Sequence, residues 1–166
     1  MTRRLAILAI LAVAGLAMYA AIRAHRDLTD FEVYRTAAGR AAAAEALYRP
    51  DDGHYEFKYL PAFAVVARPL IWMRPETAKL VWFALSFGMV VVFVRTLVVA
   101  LPDRRLPAVG LGAVTAIVMA KFFVRELALG QTNALLGLLL LPAVVGATRR
   151  PRLAGGSVGA AVFVKP

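Results

Sequence analysis

The chain reads as an all-α protein, a polytopic bundle of transmembrane helices, and three observations predict this. Hydrophobic residues make up 61% of its 166 residues and the mean hydropathy is +0.70, whereas an ordinary soluble domain is nearer to about half apolar. The apolar residues gather in runs that approach or reach the length needed to cross a bilayer as a helix. Between those runs stand tight basic clusters, the pattern that fixes the orientation of membrane helices.

Residues 5–22 form the first span, entering from the cytoplasm behind the basic start Arg3-Arg4. A signal peptide is the competing reading, but the apolar run is long for one and the cleavage signal near Ala20 is poor. Residues 23–78 then form an outer loop. Its middle, residues 31–48, is Ala-rich, with Phe31, Tyr34, Ala38, Ala41 and Ala42 at helical spacing. This predicts a helix lying at the membrane surface, with Asp30 at its N-cap. Arg49-Pro50-Asp51-Asp52-Gly53 is a turn by composition. Residues 59–73 are apolar but carry Arg68 and are interrupted by Pro61 and Pro69, which predicts a partial or re-entrant element rather than a span.

The remaining spans follow from charge. With 79–101 running inward, 107–124 outward, 134–147 inward and 153–166 beginning another crossing, all three tight basic clusters face the cytoplasm: the N-terminus, Asp103-Arg104-Arg105 and Arg149-Arg150-Pro151-Arg152. Arg74 and Lys79 are then awkward outer charges. Arg95 and Lys121 lie near the ends of their spans and can snorkel to the headgroups. Trp72 and Trp82 read as an interfacial aromatic belt. The last residues fall inside an apolar run that has only begun to cross, so the sequence reads as the N-terminal part of a longer protein.

Composition also excludes functions. The net charge of +10 is spread through clusters between apolar runs and forms no polar face for nucleic acid. With no cysteine there is no disulfide, no Cys-based zinc site and no thiol nucleophile. His25 and His54 are the only histidines, and neither a metal site nor a cofactor is read.

Polar chemistry is concentrated in residues 30–61, and this stretch resembles a known family. Asp30 is followed by Phe31-Glu32-Val33-Tyr34, an Ala-Ala pair, Leu47-Tyr48 and Phe57-Lys58-Tyr59-Leu60-Pro61. Further on come Gly130-Gln131-Thr132-Asn133 before a Leu-rich run, then Gly155-Gly156 and Lys165-Pro166. Order and spacing resemble the polyprenol-phosphate-sugar-dependent glycosyltransferases of the GT-C fold, most closely glycosyltransferase family 87. One departure is the single proline of Tyr59-Leu60-Pro61-Ala62, where many relatives have two.

The resemblance implies an inverting hexosyltransferase of the bacterial cytoplasmic membrane, with its active site on the extracytoplasmic side. The implied donor is a polyprenyl-phosphate sugar, with mannose favoured, and the acceptor a lipid or glycan. Such transfer needs a base on the acceptor hydroxyl and cations on the departing phosphate. Asp30 is the candidate base, or else only a cap. Asp27 reads as a solvated charge. Arg35 and Arg40 are candidate donors to the phosphate or else headgroup contacts, and His54 and Lys58 can assist the leaving group or are solvated loop residues; Tyr34 and Tyr59 can stack on sugars or belong to the aromatic belt, and Gln131, Asn133 and Lys165 are candidate substrate ligands. The alternative is a non-enzymatic polytopic protein, a transporter or scaffold subunit, although a transporter places its polar groups at the bilayer midplane.

Overall fold

A computed structural model describes residues 28–101, 103–147 and 150–165, together with positions 7, 11, 14, 15, 18, 19, 21 and 22. Those eight positions are all helical. His25 and Asp27 lie outside the described residues. Seven helices follow: α1 Thr29–Ala42, α2 Pro61–Val66, α3 Pro75–Ala100, α4 Ala108–Val118, α5 Ala120–Leu129, α6 Asn133–Gly146 and α7 Pro151–Val164. Two 3₁₀ turns, Pro50–Tyr55 and Arg68–Ile71, complete the described elements, and no strand occurs among them. The fold is all-α.

Helix α1 forms where Ala-rich sequence carries Asp30 and Glu32 in the first turn and Arg40 in the last, each complementing the helix dipole. Its start differs from the sequence expectation. The N-cap is Leu28, which makes no side-chain cap bond, and Asp30 is the second helical residue. A tertiary contact decides this: Leu28 is buried at φ 23°, and its N–H donates to the Ala128 carbonyl at 2.9 Å. That φ is unusual for a branched residue and persists because the surroundings hold it. The buried face of α1 is Phe31, Tyr34, Ala37 and Ala38.

The proline-broken run 59–73 folds as α2 and the 3₁₀ turn Arg68–Ile71, with Pro61 and Pro69 each in a first turn. Six α-helical residues rise only about 9 Å, far short of a hydrocarbon core of about 30 Å. The segment buries Phe63, Ala64 and Leu70 against α1. This outer core is rich in aromatic rings, and Phe31, Tyr34 and Phe57 are all but fully enclosed. Each such ring contributes about 1.5–3 kcal/mol by leaving water.

Helix α3 opens with Pro75 and ends just before Pro102 in the sequence. Its 26 residues extend about 39 Å, and it is the one described helix long and apolar enough by itself to cross a membrane. Its apolar side chains largely face outward, Leu80 being 71% and Val99 62% exposed. Arg104 Nη1 donates to the Val98 carbonyl at 3.0 Å, placing a cation on the last turn of that helix.

The run 107–124, read from the sequence as one helix, is divided. Helices α4 and α5 meet at Met119 with a bend of 70°. Thr115 Oγ1 donates to the Leu111 carbonyl four residues back at 2.9 Å, a contact that bends helices. Helix α5 then continues to Leu129 and so includes Lys121, Arg125 and Glu126. Helix α6 has 14 residues, close to the expected 134–147, and carries Pro142 inside it. It packs along α7 and against α3. The approach to α3 is tight at Gly137, where an added Cβ would stand 2.8 Å from the Phe93 ring. Helix α7 returns Val164 to the outer core.

Candidate functional site

Tyr59 is the meeting point of the site. Its hydroxyl lies 2.8 Å from that of Tyr34, and its backbone carbonyl accepts from the Tyr48 hydroxyl at 2.8 Å. Its ring stacks on Phe63 at 5.0 Å and meets Tyr34 edge-on at 5.1 Å, arrangements that aromatic quadrupoles favour. Lys165, arriving from the end of α7, places its ammonium 5.8 Å from the centre of the Tyr59 ring, within cation–π range. Asp30 stands one helical turn before Tyr34, half-buried at the start of α1.

The Tyr34 phenol is held well above its ordinary value, first by burial and then by the Tyr59 hydroxyl and the Asp30 carboxylate. Thr132, at the N-cap of α6, acts in the opposite sense. Tyr34 therefore keeps its proton beside Asp30. The structure thus joins Tyr34, Tyr59 and Lys165 from three separate stretches of chain, two phenols and an ammonium, with the Asp30 carboxylate one helical turn before Tyr34.

A second arrangement holds the corner between α5 and α6. Gly130 caps α5 in the left-handed conformation, φ 72°. A Cβ there would meet Leu28 Cδ2 at 2.8 Å and Phe31 Cβ at 3.1 Å, so glycine is required by both backbone and space. The indole N–H of Trp82 donates to the Gly130 carbonyl at 2.9 Å. Trp82 is buried and belongs to the core, not to an interfacial belt, whereas Trp72 is 75% exposed.

Glu126 completes this corner. Buried on α5, it accepts from the Ala134 N–H through Oε1 and from Asn133 Nδ2 through Oε2, both at 2.8 Å. Asn133 Nδ2 also donates to Gln131 Oε1 at 3.0 Å. A carboxylate at the start of α6 satisfies a first-turn N–H and complements the dipole. Two donors at this helix start, the Ala134 N–H and the Asn133 amide, are thus taken up from within the chain. Sequence reasoning missed Glu126, although it is the only acidic residue after Asp103.

The family model for glycosyltransferase family 87 matches residues 57–166. The chain belongs to glycosyltransferase family 87. Comparison with curated proteins and with solved structures gives no match. The matched stretch of this family 87 chain contains Tyr59, Glu126, Gln131, Asn133 and Lys165, and it begins after Asp30, Tyr34, Arg35 and His54.

The other candidates stand apart from the tyrosines. Arg35 Nη2 reaches the Met73 carbonyl at 3.5 Å, and its Nε is buried without a hydrogen-bond partner among the described residues. His54 and Lys58 are exposed, on the 3₁₀ turn Pro50–Tyr55 and in the segment after it. Arg40 grips Asp52 through two contacts, one at 2.7 Å from Nη2 to Oδ1, and so fastens this loop to α1. No group of three or more potential metal ligands occurs among the described residues.

Proposed function

We propose that this family 87 protein is a membrane-embedded glycosyltransferase of the GT-C type. It transfers a hexosyl residue, mannosyl by family resemblance, from a polyprenyl-phosphate sugar to a lipid or glycan acceptor at the extracytoplasmic surface. The observation that carries the reading is the junction of Tyr34, Tyr59 and Lys165, one helical turn from Asp30, in a chain of this family. Outward-facing apolar residues on α3 support lipid surroundings, since a soluble protein buries such a helix. In this topology α3 runs inward, α4 and α5 together make one broken crossing, and α6 and α7 supply the next two. The outer charge of Lys79 is matched by Glu32 at 3.0 Å.

In the proposed step the Asp30 carboxylate takes the proton of the acceptor hydroxyl as its oxygen bonds to the anomeric carbon. The bond from that carbon to the donor phosphate oxygen breaks, and its electron pair leaves with the polyprenyl phosphate. Attack opposite the leaving group inverts the anomeric centre. Lys165 supplies positive charge for the phosphate. Tyr59, only partly buried, is the tyrosine that meets the sugar, while the enclosed Tyr34 holds the Tyr59 hydroxyl in place.

Asp30→Asn tests this directly. In membranes supplied with polyprenyl-phosphate mannose, transfer is expected to fall by about two to four orders of magnitude while protein level and helix content hold. Transfer at near wild-type rate would show that Asp30 is not the base.

A further inference from the structure

Helix α1 has a second face. Opposite Phe31 and Tyr34, it borders a cavity of about 460 Å³ closed on its far side by the loop 50–57. Thr29, Glu32, Thr36 and Arg40 line it from the helix, and Asp52 and Tyr55 from the loop. Buried Phe57 also contributes to the wall. The volume falls within the range of small-molecule sites, about 300–1,000 Å³.

The chemistry of this lining selects its ligand. Glu32 is paired with Lys79 at 3.0 Å and Asp52 with Arg40, so the charges balance and neither an anion nor a cation is favoured. Each carboxylate retains lone pairs beyond its ion pair. The Tyr55 ring is 61% exposed at the rim, and Thr36 is exposed beside it. Fixed acceptors, a guanidinium, hydroxyls and one open aromatic face suit a neutral, hydroxyl-rich ligand with an apolar side. The larger cavity of about 570 Å³ between α3 and the α4–α5 pair offers such a ligand only Arg95 among aliphatic and aromatic side chains.

We propose that the groove between α1 and loop 50–57 is a saccharide-binding subsite. From Thr29 to Arg40 it follows the helix for about 16 Å, room for a short saccharide lying along the axis. Its head at Thr29 is one residue from Asp30, so a chain seated there directs its terminal sugar toward the candidate base. That the saccharide is the acceptor rests on the glycosyl-transfer reading, whereas its binding does not.

The test is saturation-transfer NMR with mannotriose on the protein in lipid nanodiscs. Wild type is expected to give a signal that inorganic phosphate does not displace. Thr36→Trp, which fills the groove, and Tyr55→Ala, which removes the exposed ring, should each weaken binding about tenfold or more, about 1.4 kcal/mol, with helix content unchanged. Asp30→Asn should bind as wild type does. Absence of signal, displacement by phosphate, or binding as tight as wild type in both groove variants would overturn the subsite. If mannotriose binds but wild-type protein transfers no sugar, the transferase reading fails and the subsite stands. If transfer proceeds and Thr36→Trp leaves the acceptor KM unchanged, the transferase reading stands and the groove does not hold the acceptor.

Discussion

The phenolic oxygens of Tyr34 and Tyr59 stand 2.8 Å apart, joining the face of α1 to the residue that leads into α2. Tyr34 is 1% exposed, whereas Tyr59 is only partly buried, so the two hydroxyls are not equivalent.

Tyr59→Phe should therefore cost more than Tyr34→Phe. The first leaves a buried hydroxyl without its partner, a loss of about 1–3 kcal/mol. The second leaves a hydroxyl that can turn toward water. Thermal unfolding of the protein in nanodiscs should rank the variants in that order, and the double variant should lose less than the two single losses added. Equal midpoints for the two single variants would overturn the ranking, and midpoints unchanged from wild type would show that the contact contributes nothing to stability.

Glu126→Ala is expected to destabilise by about 1–3 kcal/mol, because it strands the Ala134 N–H and the Asn133 amide together. Glu126→Gln should be milder, since one acceptor oxygen remains. Chemical denaturation monitored by the fluorescence of Trp82, whose indole is bonded to Gly130 in the same corner, would report both losses. Unchanged midpoints would mean that the buried carboxylate is dispensable.

The Arg40–Asp52 clamp gives loop 50–57 a pH dependence. The hydrogen bonds from Arg40 hold Asp52 below the ordinary 3.8, and the same contact raises Arg40. Because the folded carboxyl is depressed, the clamp is fully present above the ordinary carboxylate range and fades as pH falls through the lowered value. Protection of the backbone amides in residues 43–58, relative to their intrinsic exchange rate at each pH, should fall at acid pH before the helices are lost. Asp52→Asn should show the same loss of protection already at neutral pH. Slow exchange in that variant would contradict the clamp.

Since the chain has no cysteine, single cysteines can report sidedness without background. With an impermeant thiol reagent, Thr77→Cys should label from outside and Asp103→Cys from the cytoplasmic side. The opposite pattern would invert the proposed topology of α3.

Features of the fold that depend on local chemistry were legible in the sequence. The all-α class, the long apolar α3 and the short element between Pro61 and Pro69 follow from composition, length and the missing N–H of proline. The approach of Tyr34 to Tyr59 was not deducible, but both residues stood in motifs already singled out. What escaped detection depends on residues remote in sequence. Leu28 displaces Asp30 from the N-cap because Ala128 receives its N–H. Trp82 leaves the interfacial belt because Gly130 accepts its indole proton. Glu126 has meaning only beside Asn133, and no periodicity announces that pairing.

The bond from Leu28 to Ala128 bears on how the protein is made. At about 5–20 residues per second, roughly 5–20 seconds separate the emergence of these two residues from the ribosome. Throughout that interval α1 lacks the partner that fixes its entry, and Tyr59 waits longer still for Lys165. The first polar segment to be made is thus among the last to mature, and until then its aromatic face is open to proteases and to holding chaperones.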